Sequence, residues 1–534
     1  MLDLVVSAAF AVPLLSAGPV PASPEDRHFS ADSIRAHLEF LADDRLEGRG
    51  TGTRGFDLAA HYVATQFHAA GLVPAAPAGW YQPAPLVERT PNVAPEPRLT
   101  IGERRFPLGE HALAAISGEG VQTWSGGAVF VGYGLADPDL GIDDYRGLDV
   151  RGKAVLYYDA APGSLTPDQA DRLSQARGEA ARARGAAGLV PIRPGDAADG
   201  MTWGDWRSAF AQPFFNWLQD DGEPYRPVPM RFSAMLDSVA AAHALDGALV
   251  DFAGIEALAA RGEPLPAFPL ASRMTIESEN RWRRFSSPNV VGMVSGTDRA
   301  VARECILVTS HLDHLGVDAS VAGDDGIFNG ALDNASGVAV MIEMARAMAA
   351  VRPRRPVLFV ATTGEELGLL GSDYLAAQGL PVCDRVAGVV NIDGGIPLHD
   401  LPEAVAYGGW HSTIGPAFEA VAAANGIRAG RDDMPPTQIF DRTDHFSFVR
   451  RGVPAVYLVM SSGGDEEAQA RYRGRYHQPN DDLTLPFNWE AGARFARLAH
   501  DLVRALADGP ETRWYADSPI GQRYAPDEPK ATRP

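Results

Sequence analysis

Residues 305–313 read CILVTSHLD, an uncharged and mostly apolar run that passes directly into histidine and aspartate. The same cadence returns at 356–366, PVLFVATTGEE, and at 387–394, AGVVNIDG. A continuously apolar strand is one buried on both faces, which is the habit of parallel sheets covered by helices. Between these runs the period is helical: ALDNASGVAVMIEMARAMA at 331–349 and LGLLGSDYLAAQ at 367–378. Further on come a helix near PAFEAVAAANG (416–426), a strand at PAVYLVM (454–460) and a helix through WEAGARFARLAHDLVRALA (489–507). The expected fold is α/β, a mostly parallel central sheet flanked by helices.

Working outward, Ser30 and Asp32 are candidate caps for a helix carrying Ile34, Leu38 and Leu41 on one stripe. GRGTGTRG (48–55) interrupts it, and FDLAAHYVATQFHAAGL resumes the helical period until Gly71. A Pro-rich connection, VPAAPAGWYQPAPLVERTPNVAPEP, follows. From about residue 95 to 282 the texture changes to short strands (VFVGYGL, KAVLYYD, GAAGLVPI) around an Ala/Arg helix. That section reads as a small β-rich module inserted into the larger domain. Residues 23–94 and 283–508 are then two parts of one domain, and 509–534 form a polar tail.

At 534 residues the chain exceeds the roughly 250–300 that one core sustains. Sixty-eight acidic against 47 basic residues leave a formal charge of −21. This opposes binding to nucleic acid or an anionic membrane. Residues 4–24 are uncharged but short for a membrane span, contain Pro13 and end in small residues. They read as a secretory signal peptide over 1–22, although Asp3 stands where a basic residue is usual. The chain is therefore expected to be exported. Its two cysteines, Cys305 and Cys383, each flank an apolar run and read as small core residues rather than a bridge.

In open parallel sheets, function collects beyond the carboxyl ends of the strands. There the sequence delivers His311, Glu365 and Glu366, and Asp393 from three strand ends, and His477 from the loop after PAVYLVM. Asp333 stands at the mouth of the helix that follows His311. Two histidines and three carboxylates form a mixed nitrogen and oxygen set suited to zinc, or to cobalt or manganese. Five ligands exceed what one tetrahedral ion with an open position takes, so two ions are expected. Carboxylates this close would raise one another's pKa without cations between them. Glu365 is the natural general base. Asp313 and Asp481 are candidates to orient the His311 and His477 rings, and His445 with Asp444 to line a substrate pocket. Arg442 is a candidate clamp for a substrate carboxylate, and His314 a neighbour rather than a ligand.

The blocks SHLDHLG, GALDNASG, TTGEELGLLGS, NIDG and YHQPND resemble the signatures of the di-zinc exopeptidases, the leucyl aminopeptidase and glutamate carboxypeptidase type. GRGTGTRG and FDLAAHYVATQFHAAGLVPA resemble that family's amino-terminal segment. VFVGYGL, YRGLDVRGKAVL and ARGAAGL resemble its inserted protease-associated domain. The resemblance implies a zinc-exopeptidase (phosphorylase/hydrolase-like) fold, two Zn2+ per chain and peptide substrates. It implies that His311 and Asp393 are terminal ligands of one ion and Glu366 and His477 of the other. Asp333 would bridge the two and Glu365 would serve as base. NIDGG departs from the family, which commonly has a bulky residue after the aspartate. Alternatives are a carboxypeptidase or dipeptidase on the same scaffold, a non-enzymatic binding protein, or a single-zinc acyltransferase of the cyclase kind.

Overall fold

The computed structural model describes residues 29–92, 98–138, 140–194, 200–225, 230–321, 325–432 and 440–533. The leader expected over 1–22 lies outside them. The chain divides into two compact units, one of residues up to Gln82 together with those from Asn289, the other Pro83–Pro288. Expectation had put these divisions at 94 and 283. The difference arises at the Pro-rich connection, which contains a strand, Tyr81–Asn92, paired antiparallel with Phe214–Trp217. Pro83 and Pro85 precede its paired stretch Leu86–Arg89 and Pro91 follows it, so none interrupts that pairing.

In the first unit, strand Val357–Thr362 runs parallel to Glu304–His311, which runs parallel to Arg385–Ile392, which runs parallel to Ala455–Ser461. Antiparallel strands border this block: Val290–Val294 pairs with Val357–Ala361, and Glu403–Tyr407 with Ala455–Ser461. Side chains along each strand alternate between two cores. Ile306, Val308, Phe359 and Val390 enter the core shared by helices Ala31–Leu41, Arg54–Ala69, Ser336–Ala350 and Trp489–Asp508. Cys305, Leu307, Leu358 and Val389 enter the opposite one, with Leu375 and Phe448. This two-sided burial is why the strands read as unbroken apolar runs. Ser30 caps the first helix, its Oγ accepting from Ser33 N at 3.3 Å.

Two expectations are corrected in this unit. Residues 509–533 do not form a loose polar tail. Trp514 is buried and its Nε1 donates to Gly452 O at 2.7 Å, Tyr515 N donates to His411 O, and Pro519–Tyr524 is helical. The apolar side chains that anchor the segment are scattered without a period, so pattern alone misses them. Cys305 and Cys383 are joined by a disulfide, their Cα atoms 5.9 Å apart, within the usual span. The turn before Arg385 carries Cys383 back beside the start of the neighbouring strand, where Cys305 pairs with Val386.

The second unit has its own core, with Leu99, Phe130, Leu156, Val190, Phe232 and Ile276. Strand Gly188–Ile192 lies parallel between Ala154–Tyr158 and Phe232–Leu236, and Gly120–Val131 pairs antiparallel with the long strand Ala267–Val294. Helix Pro167–Ala183 begins with a capping box between Thr166 and Gln169. No helix among the described residues is long and apolar enough to cross a membrane.

Candidate metal centre

The parallel strands end at one edge, and the side chains expected there converge. Strand Glu304–His311 places His311 as its last residue, 2 % exposed. The His311 Nδ1 lies 3.1 Å from the main-chain oxygen of Asp313, so a proton on Nδ1 leaves the Nε2 lone pair facing inward. Nε2 stands 3.0 Å from Asp333 Oδ1 and 3.3 Å from Asp393 Oδ1. The other oxygen of Asp333, Oδ2, is 3.3 Å from His477 Nε2, which is 3.1 Å from Glu366 Oε2. One carboxylate thus presents one oxygen to each of two imidazoles. His314 completes the second nest, its Nδ1 2.6 Å from Glu366 Oε1.

His311 with Asp333 and Asp393, and His314 with Asp333 and Glu366, bring donor atoms within 4.8 Å of one another, and so do His311, Glu365 and Glu366. Among the described residues, the buried Nε2 atoms of His477 and His314 find no hydrogen-bond partner. A buried imidazole nitrogen that approaches two carboxylate oxygens without bonding to either fits a position for a cation between them. His477 is held with φ 55, in the left-handed region that a non-glycine residue rarely adopts. The donor set fits two divalent ions, with Asp333 between them.

Electrostatics agree with that reading. Burial pushes the Glu365 carboxyl well above its ordinary range, with Asp393, Asp444 and Glu366 adding to the push and His311 opposing it. Burial likewise raises Asp393. The imidazole of His311 resists its burial because Asp393, Glu365 and Asp333 surround it, and it is raised well above 6.5. His477, also against burial, is raised to about 10 by Asp333 and Glu366. Against burial, the imidazoles of His311 and His477 hold Asp333, and those of His314 and His477 hold Glu366, below the ordinary carboxylate range, so positive charge is already drawn to the middle of the cluster.

The supporting carboxylates act differently from expectation. Asp313 does not turn its carboxylate to the His311 ring; it accepts from Glu365 N at 3.2 Å, Glu366 N at 3.4 Å and Thr51 Oγ1 at 2.9 Å. It thereby anchors the turn that carries both glutamates. That turn closes through Gly368 N and Leu369 N bonding to Glu365 O, so the pair is not the end of an extended strand. Asp481 accepts from Leu332 N at 2.8 Å and Asp333 N at 3.1 Å instead of from His477. Burial raises both Asp313 and Asp481 to about 6.

Asp444 and His445, read as pocket candidates, are not among the residues that line the cavity beside Asp393. Both are fully buried: Asp444 accepts from Thr362 Oγ1, and His445 Nδ1 bonds Thr443 Oγ1 at 2.7 Å. Burial lowers His445 to about 3, so it is neutral. Arg442 is exposed. The cavity beside Asp393, about 390 Å³, is lined instead by Ile396, Leu398, Val405, Tyr457, Val459 and Met460, with Arg473 among its polar residues. Sequence reasoning also passed over Asn334, whose Oδ1 accepts from Gly337 N and Gly394 N and whose Nδ2 donates to Ser310 Oγ and Ile392 O. It ties the Asp333 and Asp393 loops together, and its place immediately after Asp333 was the available signal.

A helix-covered parallel sheet thus carries, at its carboxyl edge, a shared-carboxylate donor cluster that can hold divalent cations. Residues 289–503 match the profile of Peptidase family M28. A probable zinc metalloprotease of Leptosphaeria maculans is 36 % identical over 105 residues, 20 % of this chain and 23 % of that protein. Aminopeptidase NAALADL1 of Mus musculus is 29 % identical over 141 residues, 24 % of this chain and 17 % of that protein. The chain therefore spans well under half the length of these relatives. Among solved structures, an aminopeptidase from Aneurinibacillus sp. strain AM-1 superposes with a TM-score of 0.49 at 19 % identity, covering 95 % of this chain and 98 % of that one.

Proposed function

We propose that the chain is a two-zinc exopeptidase of the aminopeptidase type, which removes amino-terminal residues from peptides. In this reading His311 and Asp393 hold one ion, Glu366 and His477 the other, and Asp333 both. The observation that carries it is Asp333 itself, one oxygen 3.0 Å from His311 Nε2 and the other 3.3 Å from His477 Nε2. Bound zinc supplies a Lewis acid for the scissile carbonyl and a water acidic enough to ionise near neutrality. Glu365 takes the proton from the attacking water and passes it to the leaving amine. Asp313 keeps Glu365 and Glu366 in place through their main-chain N–H groups.

The apolar cavity beside Asp393 favours a substrate that enters by an uncharged side chain. Arg473 at the same cavity supports a second reading, a carboxypeptidase that pairs with a substrate carboxylate. Zinc analysis combined with one peptide in three forms separates them. An aminopeptidase cleaves the free and the carboxyl-amidated peptide and spares the amino-blocked one; the reverse pattern overturns the assignment. Inertness of the zinc-loaded protein toward all three removes the exopeptidase reading altogether.

Export is part of the same proposal. Disulfides persist in oxidising compartments, and the Cys305–Cys383 bridge supports such a location. Protein collected outside the cytoplasm should take up a thiol-alkylating reagent only after reduction. Free thiols before reduction, or retention in the cytosol, would count against it.

A further inference from the structure

The turn Asp44–Arg49 is wedged against the loops of the metal centre. Glu47, Gly48 and Arg49 all have left-handed backbones, with φ 50, 63 and 49. A Cβ at Gly48 would meet the main-chain oxygens of Gly316 and Phe328 at 2.4 Å, so only glycine allows this approach. Arg49 O accepts from His314 N at 3.3 Å, and Thr51 reaches the Asp313 carboxylate. The chain has gone to a strained conformation to bring one side chain underneath the site.

That side chain is 1 % exposed. Among the described residues its guanidinium donates to main-chain oxygens alone: Nε to Leu312 O at 2.9 Å, Nη1 to Leu41 O at 2.5 Å and Asn329 O at 2.6 Å, and Nη2 to Gly330 O at 3.0 Å. Leu312 follows His311, and Asn329–Gly330 lead into the segment that carries Asp333. A buried cation without a direct anionic partner is costly unless it sits in a negative field. Burial lowers the guanidinium to about 10, and the charges of Asp481, Asp333, Asp313 and Glu366 oppose that pull. In the two-zinc reading, two divalent ions balance the carboxylates of Asp333, Glu365, Glu366 and Asp393. Asp313 and Asp481 are left over, both buried, with no cationic side chain at ion-pair distance among the described residues. Arg49 is the fixed positive charge that faces them.

We infer that Arg49 is a positioning residue of the metal centre: its fork registers the two loops that deliver His311 and Asp333, and its charge offsets Asp313 and Asp481. The inference rests on the two-zinc reading and concerns affinity for the ions, not contact with substrate. Supporting groups of this kind typically contribute about 10–100-fold in metal affinity. Arg49→Lys, which keeps charge but loses the fork, should bind zinc about 10-fold more weakly, and Arg49→Met about 100-fold more weakly. The measurement is competition of the full-length protein against a chromophoric zinc chelator. Raising free zinc should recover the turnover of Arg49→Lys with KM unchanged, which a merely misfolded protein would not show.

Wild-type zinc affinity in Arg49→Met would overturn the inference, and so would a turnover deficit in Arg49→Lys that zinc does not relieve. Should Arg49→Met fail to fold, Arg49→Lys decides: affinity equal to wild type refutes it. Absence of zinc binding by the unmutated protein would be a different result, the failure of the two-zinc reading itself.

Discussion

Glu365→Gln is expected to lower turnover by roughly 10²–10⁴-fold, the usual worth of a positioned general base, while zinc content stays at two per chain. The side chain lies in the donor cluster with His311 and Glu366, but in the two-zinc reading it is the one carboxylate of the set that is not a ligand. Burial and the neighbouring acids raise its proton affinity; bound cations act in the opposite sense and return it toward the range in which a base is effective near neutrality. The amide is nearly isosteric, so the Asp313 bonds to the Glu365 and Glu366 main chain should persist. The check is kcat beside zinc determination on the same sample. Undiminished turnover would refute the role of base, and loss of zinc would reassign Glu365 as a ligand.

Asp333→Ala should have the larger effect, because one carboxylate serves both halves of the site. Zinc content should fall from two to one or fewer, and turnover should fall by at least about 10³-fold, matching several kcal/mol of lost transition-state stabilisation. Asp393→Ala, by contrast, should disturb mainly the ion beside His311, since among the described residues that is the imidazole Asp393 approaches, at 3.3 Å. Metal stoichiometry with an unchanged far-ultraviolet dichroism spectrum tests both variants. Retention of two ions by Asp333→Ala would remove the shared ligand, and with it the argument for a paired site.

The donors were legible because each belongs to a regular element. His311 ends a strand, Asp393 follows one, Asp333 opens a helix, and the two-sided burial of these strands left continuous apolar runs in the sequence. What supports the donors was not legible in the same way. Whether Asp313 faces an imidazole or two backbone N–H groups depends on how the Glu365 turn closes, and the sequence shows only that both glutamates follow a strand end. Asp481 shows the same effect: its bonds go to Leu332 and Asp333, 149 and 148 residues away in sequence. Asp444 and His445 were singled out for their chemistry, yet their surroundings are Thr362, Thr443, Phe440 and Tyr457, which only tertiary packing brings together. Arg49 lay inside a segment noted for its glycines, and nothing local announces that its fork spans Leu41, Leu312, Asn329 and Gly330. The disulfide and the packed carboxyl-terminal segment escaped for a related reason. Both depend on distant chain returning to the same sheet.

The division of the first unit has a consequence for how the protein is made. Helix Ala31–Leu41 packs on helices Ser336–Ala350 and Trp489–Asp508, and Phe29 meets the ring of His500 at 5.4 Å. At typical ribosomal speeds the carboxyl-terminal partner emerges on the order of tens of seconds after the first helix. Throughout that interval Ile34, Leu38 and Leu41 travel with an apolar stripe uncovered, while residues 83–288, whose core is self-contained, have everything they need to condense. The nascent first unit is therefore the aggregation-exposed part of the polypeptide, and its assembly waits for helix Trp489–Asp508 to emerge.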